Sequence, residues 1–227
     1  MNFVYALTEN IYEWLLPSIR SLADHHKDAR VFILCEHDTF PLELPIEAEI
    51  INVKKLDTFN NSVNYNNYFK YINLFKVCYA SLLPVNKVIH LDVDTIVADD
   101  LSDFWKTDVR GKWFAACKET YGRYKPFGPN YYNMGVALLN LSQMRKDKIE
   151  PELVYYLNSV SQPWADQDAW NKYGIERDKI TDLDVRYNEN QMTGYTDNPA
   201  IVHYCAIGDW FTNQYMDRRE YLDKYRG

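Results

Sequence analysis

Asp92 and Asp94 are the two residues whose type and spacing speak most directly of chemistry. They follow the apolar run Val88-Ile89-His90-Leu91 and precede Thr95-Ile96-Val97. In an extended strand positions i and i+2 share a face, so both carboxylates are expected to point the same way where a buried strand ends. Two like charges that close repel, and burying either one is costly without a counter-charge. A divalent cation answers that need, because hard cations take carboxylate oxygens. A carboxylate pair at a strand end also serves simply to cap a loop or helix, so the motif alone leaves both readings open. A phosphatase-type aspartyl nucleophile fits less well: that pattern is DxDxT, and Ile96 stands where its threonine belongs.

The elements that must hold this pair follow from periodicity. Phe3 to Leu7, Val31 to Cys35, Ala48 to Val53 and Lys87 to Leu91 read as strands. Asn10 to His26 reads as a helix with Trp14, Leu15, Ile19 and Leu22 on one face, and Tyr68 to Leu83 as a second helix stopped by Pro84. Strands alternating with helices imply a mostly parallel sheet, whose rim at the strand ends is where open α/β folds bind ligands. Further along, Asp100 to Trp105 reads as a capped turn, Lys112 to Cys117 and Gly135 to Leu141 as strands separated by a Gly/Pro/Tyr loop, Glu152 to Ser161 and Asp166 to Tyr173 as helices, Ile201 to Tyr204 as a strand and Asn213 to Tyr225 as a terminal helix. Leu56 to Asn67 is Asn-rich and reads as a loop.

Composition narrows the classes. The 227 residues are 47% hydrophobic and 25% charged, which suits one soluble globular domain with a substantial core. A net charge of −7 argues against a nucleic-acid protein but leaves small anionic ligands open, since a metal supplies local positive charge. Nineteen tyrosines and six tryptophans offer amphipathic surface for sugars and bases, although packing accounts for most aromatics. Cys35, Cys78, Cys117 and Cys205 occur singly, without CxxC, and read as reduced, buried thiols of a cytoplasmic protein. Met1 to Leu7 has no basic region and no long apolar stretch, so a signal peptide is not expected, and no run is long enough to span a bilayer. Tyr215 to Arg226 has nearly balanced charge, unlike an anchor for anionic membranes. Neither GxGxxG nor GxxxxGK occurs, so any nucleotide diphosphate must be held by other means.

Five ordered blocks resemble glycosyltransferase family 8, the family of glycogenin and the bacterial lipopolysaccharide galactosyl- and glucosyltransferases. Ala6-Leu7-Thr8-Glu9-Asn10-Ile11-Tyr12 is similar to its first strand and uridine-binding turn. Leu91 to Val97 with Asp100 to Trp105 resembles its DxD strand and following helix. Asn133-Met134-Gly135-Val136, Asp166-Gln167-Asp168 with Asn171, and His203-Tyr204-Cys205 resemble its NxGV, DQD and HYxG blocks. The resemblance implies a GT-A fold: a Rossmann-like, mostly parallel central sheet flanked by helices in a single domain, with a nucleotide-binding half at 1–97 and a donor-sugar and acceptor half at 98–227. It further implies a UDP-glucose or UDP-galactose donor, a saccharide, lipid-linked saccharide or protein acceptor, Mn²⁺ or Mg²⁺, and transfer with retention at the anomeric carbon.

Carried across residue by residue, the resemblance makes Asp92, Asp94 and His203 the metal ligands; a single imidazole favours Mn²⁺ over Mg²⁺. On its own His203 reads as a packed histidine. Ala6, Thr8, Asn10, Tyr12, Lys76, Val93, Asn133, Gly135 and Gly208 join the aspartates in holding the donor, and Gln167 and Asp166 steady the reacting carbon, with Asp168 assisting. Plainer roles stand beside these: Thr8 or Asn10 as cap of the first helix, Asp166 as cap of a later one, Lys76 as a snorkelling boundary lysine. Either Lys118 or Glu119 falls at a sugar-contacting position of the family. The tail departs from the pattern. HYxG…KPW becomes His203-Tyr204-Cys205-Ala206-Ile207-Gly208-Asp209-Trp210, one residue short and without the lysine that supports the diphosphate. Losing one charge-assisted hydrogen bond weakens transition-state stabilisation by ~2 kcal/mol. A degenerate domain that binds nucleotide sugar or glycan without transfer is therefore the alternative to an active enzyme.

Overall fold

The computed structural model describes residues 1–66, 71–120, 128–205, 210–213 and 216–226. Expectations placed on Tyr68, on 121–127 of the Gly/Pro/Tyr loop, on Gly208 and Asp209, and on Tyr215 lie outside these residues.

The chain runs β1 (Asn2–Ala6), a 3-10 stretch (Glu9–Trp14), α1 (Leu15–His25), β2 (Arg30–Cys35), β3 (Ala48–Asn52), a 3-10 stretch (Tyr71–Cys78), α2 (Tyr79–Leu82), β4 (Val88–Leu91) and β5 (Thr95–Val97). There follow α3 (Ser102–Lys106), β6 (Phe114–Lys118), β7 (Tyr132–Leu139), α4 (Leu141–Asp147), α5 (Glu150–Ser159), α6 (Asp166–Glu176), β8 (Ile180–Asp182), β9 (Ile201–His203) and α7 (Arg219–Tyr225). Both predicted early helices thus include a 3-10 segment ahead of their α-helical part. The terminal helix is shorter than expected, and α4, β5 and β8 are additions.

Seven strands form one sheet in the order β3-β2-β1-β4-β7-β6-β8. β1 to β4 pair in parallel, β6 pairs in parallel with β8, and only β7 runs the other way, antiparallel to both β4 and β6. Strands covered on both faces read as continuous apolar runs, which is why Val31 to Cys35 and the eight buried residues of β7 are so apolar. Alternate residues serve opposite faces: Val4, Phe32, Leu34 and Leu139 pack with Phe75, Leu153 and Trp170, whereas Phe3, Tyr5, Ile33 and Leu138 pack with Leu15, Ile19 and Phe104.

Two departures from regular pairing build the site. Ala116 of β6 pairs with Ala137, but Cys117 pairs with Asn133. Residues 134–136 therefore bulge out of the β6 ladder and remain bonded to β4, where Leu91 faces Val136 and the Asp92 amide donates to the Gly135 carbonyl at 2.7 Å. Bulges of this kind re-aim side chains beside functional rims. The second is a two-stranded ribbon in which β5 pairs antiparallel with β9, setting Thr95 opposite His203. Small serines on α1 let this ribbon approach. Ser18 Oγ lies 3.1 Å from Thr95 Oγ1, and Ser21 Oγ accepts from the Val97 amide at 2.9 Å.

Candidate metal and donor-sugar site

Asp92 and Asp94 do not lie on a strand. They flank the turn between β4 and β5, so the turn, rather than strand alternation, brings their carboxylates together. The turn is pinned on three sides: Thr95 Oγ1 donates to the Asp92 carbonyl at 2.7 Å, the Asp92 amide to Gly135, and the Tyr204 amide to the Asp94 carbonyl at 2.8 Å. The β5–β9 register then delivers His203, whose Nε2 lies 3.2 Å from Asp94 Oδ1 and 4.0 Å from Asp92 Oδ2. One ligand atom from each of these three residues falls within 4.8 Å of the others.

The surroundings fit a cation. A Cβ on Gly135 would lie 2.2 Å from His203 Cε1 and 2.8 Å from Asp92 Oδ2, so only the absent side chain makes room for imidazole and carboxylate to converge. Asp92 Oδ1 is already occupied by Lys76 Nζ at 2.6 Å and His90 Nε2 at 3.0 Å, which leaves Oδ2 turned toward His203. Burial alone would raise the Asp92 carboxyl, but the Lys76 ammonium, with His90 and His203, holds it well below the usual carboxylate range. Burial, reinforced by Lys76, keeps His90 below its ordinary value. Against its burial, His203 is held above its ordinary value by Asp94 and then Asp92. Two oxygens and one imidazole are a donor set suited to Mn²⁺ and accessible to Mg²⁺.

Lys76 is not a boundary lysine. It is 7% exposed, with its ammonium on Asp92. Beside it stand the DQD residues. Asp166 opens α6, just after Ala165, which takes φ 47° and ψ −120° while completely buried. Such a backbone is strained for alanine and marks a place where local geometry has been over-determined. Burial pushes the Asp166 carboxyl up to about 7, with Lys76 opposing. The expected capping role goes elsewhere: Asp168 Oδ2 accepts from the Trp164 amide and its Oδ1 from Tyr131 OH. Gln167 is held at both ends, its Oε1 by the Met134 amide at 2.9 Å and its Nε2 by Glu119 Oε1 at 3.3 Å. Asn171 closes the same corner by accepting from the Tyr132 amide.

Of Lys118 and Glu119, it is Glu119 that faces the Asn133 and Gln167 side chains. Its carboxylate, 5% exposed, accepts from Asn133 Nδ2 at 3.0 Å as well as from Gln167, whereas Lys118 reaches outward to Asp182. At the turn after β1, Thr8 Oγ1 bonds Asn10 Oδ1 at 2.5 Å, and neither side chain caps the following segment. Tyr12 is a core residue: its ring sits 4.8 Å from Phe40 and its hydroxyl accepts from the Glu36 amide. Ala6 and Val93 are likewise buried among apolar neighbours. Cys35, Cys78 and Cys117 are free and buried as expected, while Cys205 is only partly buried, with Sγ 3.5 Å from Asn133 Nδ2.

The sequence profile of Glycosyl transferase family 8 matches residues 2–208. The chain belongs to glycosyl transferase family 8. Among the family's relatives, glycosyltransferase GlyA of Streptococcus pneumoniae is 25% identical over 231 residues, covering 89% of this chain and 31% of its own. A putative glycosyltransferase of Haemophilus influenzae is 27% identical over 141 residues, covering 57% and 42%. The chain thus spans less than half of these relatives' length. In fold, this family-8 chain superposes on the galactosyltransferase LgtC, solved in complex with donor and acceptor sugar analogs, with a TM-score of 0.79 at 21% identity, covering all of this chain and 95% of that one. That likeness establishes the GT-A fold. Among the described residues no helix is long and apolar enough to cross a membrane.

His90, on Asp92, and Asn188, whose Oδ1 lies 2.8 Å from His203 Nδ1, adjoin the cluster and stand outside every sequence block. For His90 a signal existed, a lone imidazole inside an apolar strand two positions before Asp92; Asn188 gave none.

Proposed function

We propose that this chain is a metal-dependent, retaining glycosyltransferase that moves glucose or galactose from a UDP-sugar to a saccharide, lipid-linked saccharide or protein acceptor. The observation that carries the reading is the convergence of Asp92, Asp94 and His203 on a space kept open by Gly135, at the rim where the buried amide of Asn133 and the half-buried amide of Gln167 also gather. A divalent ion bound there would neutralise charge on the departing diphosphate.

The protein's own groups supply the rest. Buried Lys76 keeps its charge, because Asp92 and Asp166 outweigh its burial. Asp166, with its carboxyl near 7, can donate or accept a hydrogen bond to a sugar hydroxyl at neutral pH. Gln167, fixed by Met134 and Glu119, presents its remaining amide capacity without a search through rotamers. A retaining glycosidase would use a nucleophile and an acid carboxylate across the reacting bond. The reading here is instead a same-face substitution, in which the leaving phosphate helps take the acceptor proton.

UDP-glucose and UDP-galactose hydrolysis with Mn²⁺, followed by NMR, tests the proposal. Release of UDP and of sugar with retained configuration is expected, and Asp94→Asn should lower it roughly a hundredfold or more. UDP binding without turnover of either sugar would leave a binding domain instead, and an inverted product would exclude the same-face route.

A further inference from the structure

Asn188 follows a short 3-10 turn (Val185–Tyr187), is completely buried, and places its Oδ1 2.8 Å from His203 Nδ1. Which partner carries the hydrogen is decided by a chain of bonds anchored on the backbone. The Gly135 amide, a donor only, bonds Asn133 Oδ1 at 3.1 Å, so that atom of Asn133 is the carbonyl oxygen. Its other amide atom accordingly donates to Glu119 Oε1 at 3.0 Å. Asn188 Nδ2 donates to the same Asn133 oxygen at 3.0 Å, which turns the Asn188 carbonyl toward the imidazole. Asn190 Nδ2, donating to Asn188 Oδ1 at 2.9 Å, confirms that atom as an acceptor. His203 Nδ1 must then carry the hydrogen, so that once the ring is neutral, or a cation displaces the proton that Nε2 shares with Asp94, the Nε2 lone pair faces the space between Asp92 and Asp94. Asn133, Asn190 and His203 are all 4% exposed or less, so water does not compete for these bonds.

We propose that Asn188 is a positioning residue that fixes His203 as the Nδ1–H tautomer and thereby makes its Nε2 a metal ligand. The proposal rests on the metal site described above and adds a connection to it. The bonds from Gly135 through Asn133 and Asn188 tie the imidazole to β7, the strand that also carries Asn133. Partners that orient a ligating histidine through its far nitrogen typically govern metal affinity 10–100-fold.

Two variants separate acceptor from donor. Asn188→Leu removes the acceptor at similar volume; Asn188→Asp keeps the acceptor and loses only the bond to Asn133. Mn²⁺ titration of the purified full chain should show Asn188→Leu binding about 10–100-fold more weakly than wild type, with Asn188→Asp within a few-fold. Long-range ¹H–¹⁵N NMR of metal-free, histidine-labelled protein at alkaline pH should show Nδ1–H for His203, assigned by its loss in His203→Gln, and no such preference in Asn188→Leu. An Nε2–H wild type, a folded Asn188→Leu with undiminished Mn²⁺ affinity, or Asn188→Asp as weak as Asn188→Leu overturns the proposal. Should Asn188→Leu not fold, the wild-type tautomer and Asn188→Asp still decide. Failure of wild type to bind Mn²⁺ would instead strike the metal site itself, since the tautomer is read without metal.

Discussion

Asp166 is held near neutrality by burial, and that has a thermodynamic sign. An unfolded aspartate titrates near ~4, whereas the native carboxyl titrates at about 7. Between those values the native state retains a proton that the unfolded chain has released. The contribution of Asp166 therefore lowers stability as pH rises through this window and levels off above it, by ~1.4 kcal/mol per unit of difference. Melting of metal-free wild type against Asp166→Asn should show the wild type losing ground between mildly acidic and neutral pH; parallel curves would mean that Asp166 ionises normally. Asp92, Asp94 and Gln167 were legible in the sequence because short motifs carry them, and Lys76 only through the family resemblance. His90 leaves a faint signal, an imidazole in an apolar strand two positions before its partner Asp92, whereas Asn188 leaves none, because its partners Asn133 and His203 are distant in sequence.

Among the elements, β7 does the most to shape the site. By running against its neighbours it brings its first residues, Asn133 to Gly135, to the rim where the parallel strands end, and its bulge turns Gly135 onto β4. Gly135→Ala should push a methyl group into the His203 ring. We expect a loss of about 1–3 kcal/mol in urea unfolding and loss of Mn²⁺ binding; an unchanged titration would show that the ring is not held where Gly135 allows it. The buried strands β1, β2, β4 and β7 announced themselves as apolar runs. Of the three-residue strands, β9 was legible at Ile201 to Tyr204, but β5 and β8 were not: so short a segment has little periodicity of its own and owes its form to the strand beside it. The early helices fall where expected among the described residues but include 3-10 segments, a difference of hydrogen-bonding register to which apolar spacing is blind.

At the scale of the molecule, the C-terminal segment is fastened to the site's supports rather than to the main sheet. Arg218 donates to the fully buried Glu189 at 2.6 Å and to the Thr196 carbonyl, while Arg20 of α1 bonds the carbonyls of Tyr225 and Arg226. Arg218→Met should strand a buried carboxylate and cost about 3 kcal/mol, most of it recovered in the double variant with Glu189→Gln; denaturant melts read both. Nothing local in the sequence predicted this pairing, since its value depends on burial that only the folded chain creates. The ribbon of β5 and β9 has a consequence in time as well as space. Asp92 and Asp94 leave the ribosome long before His203, so a nascent chain holds two thirds of a chelate and no site. If the cluster holds a cation as proposed, its third ligand arrives only once β9 has emerged and paired with β5.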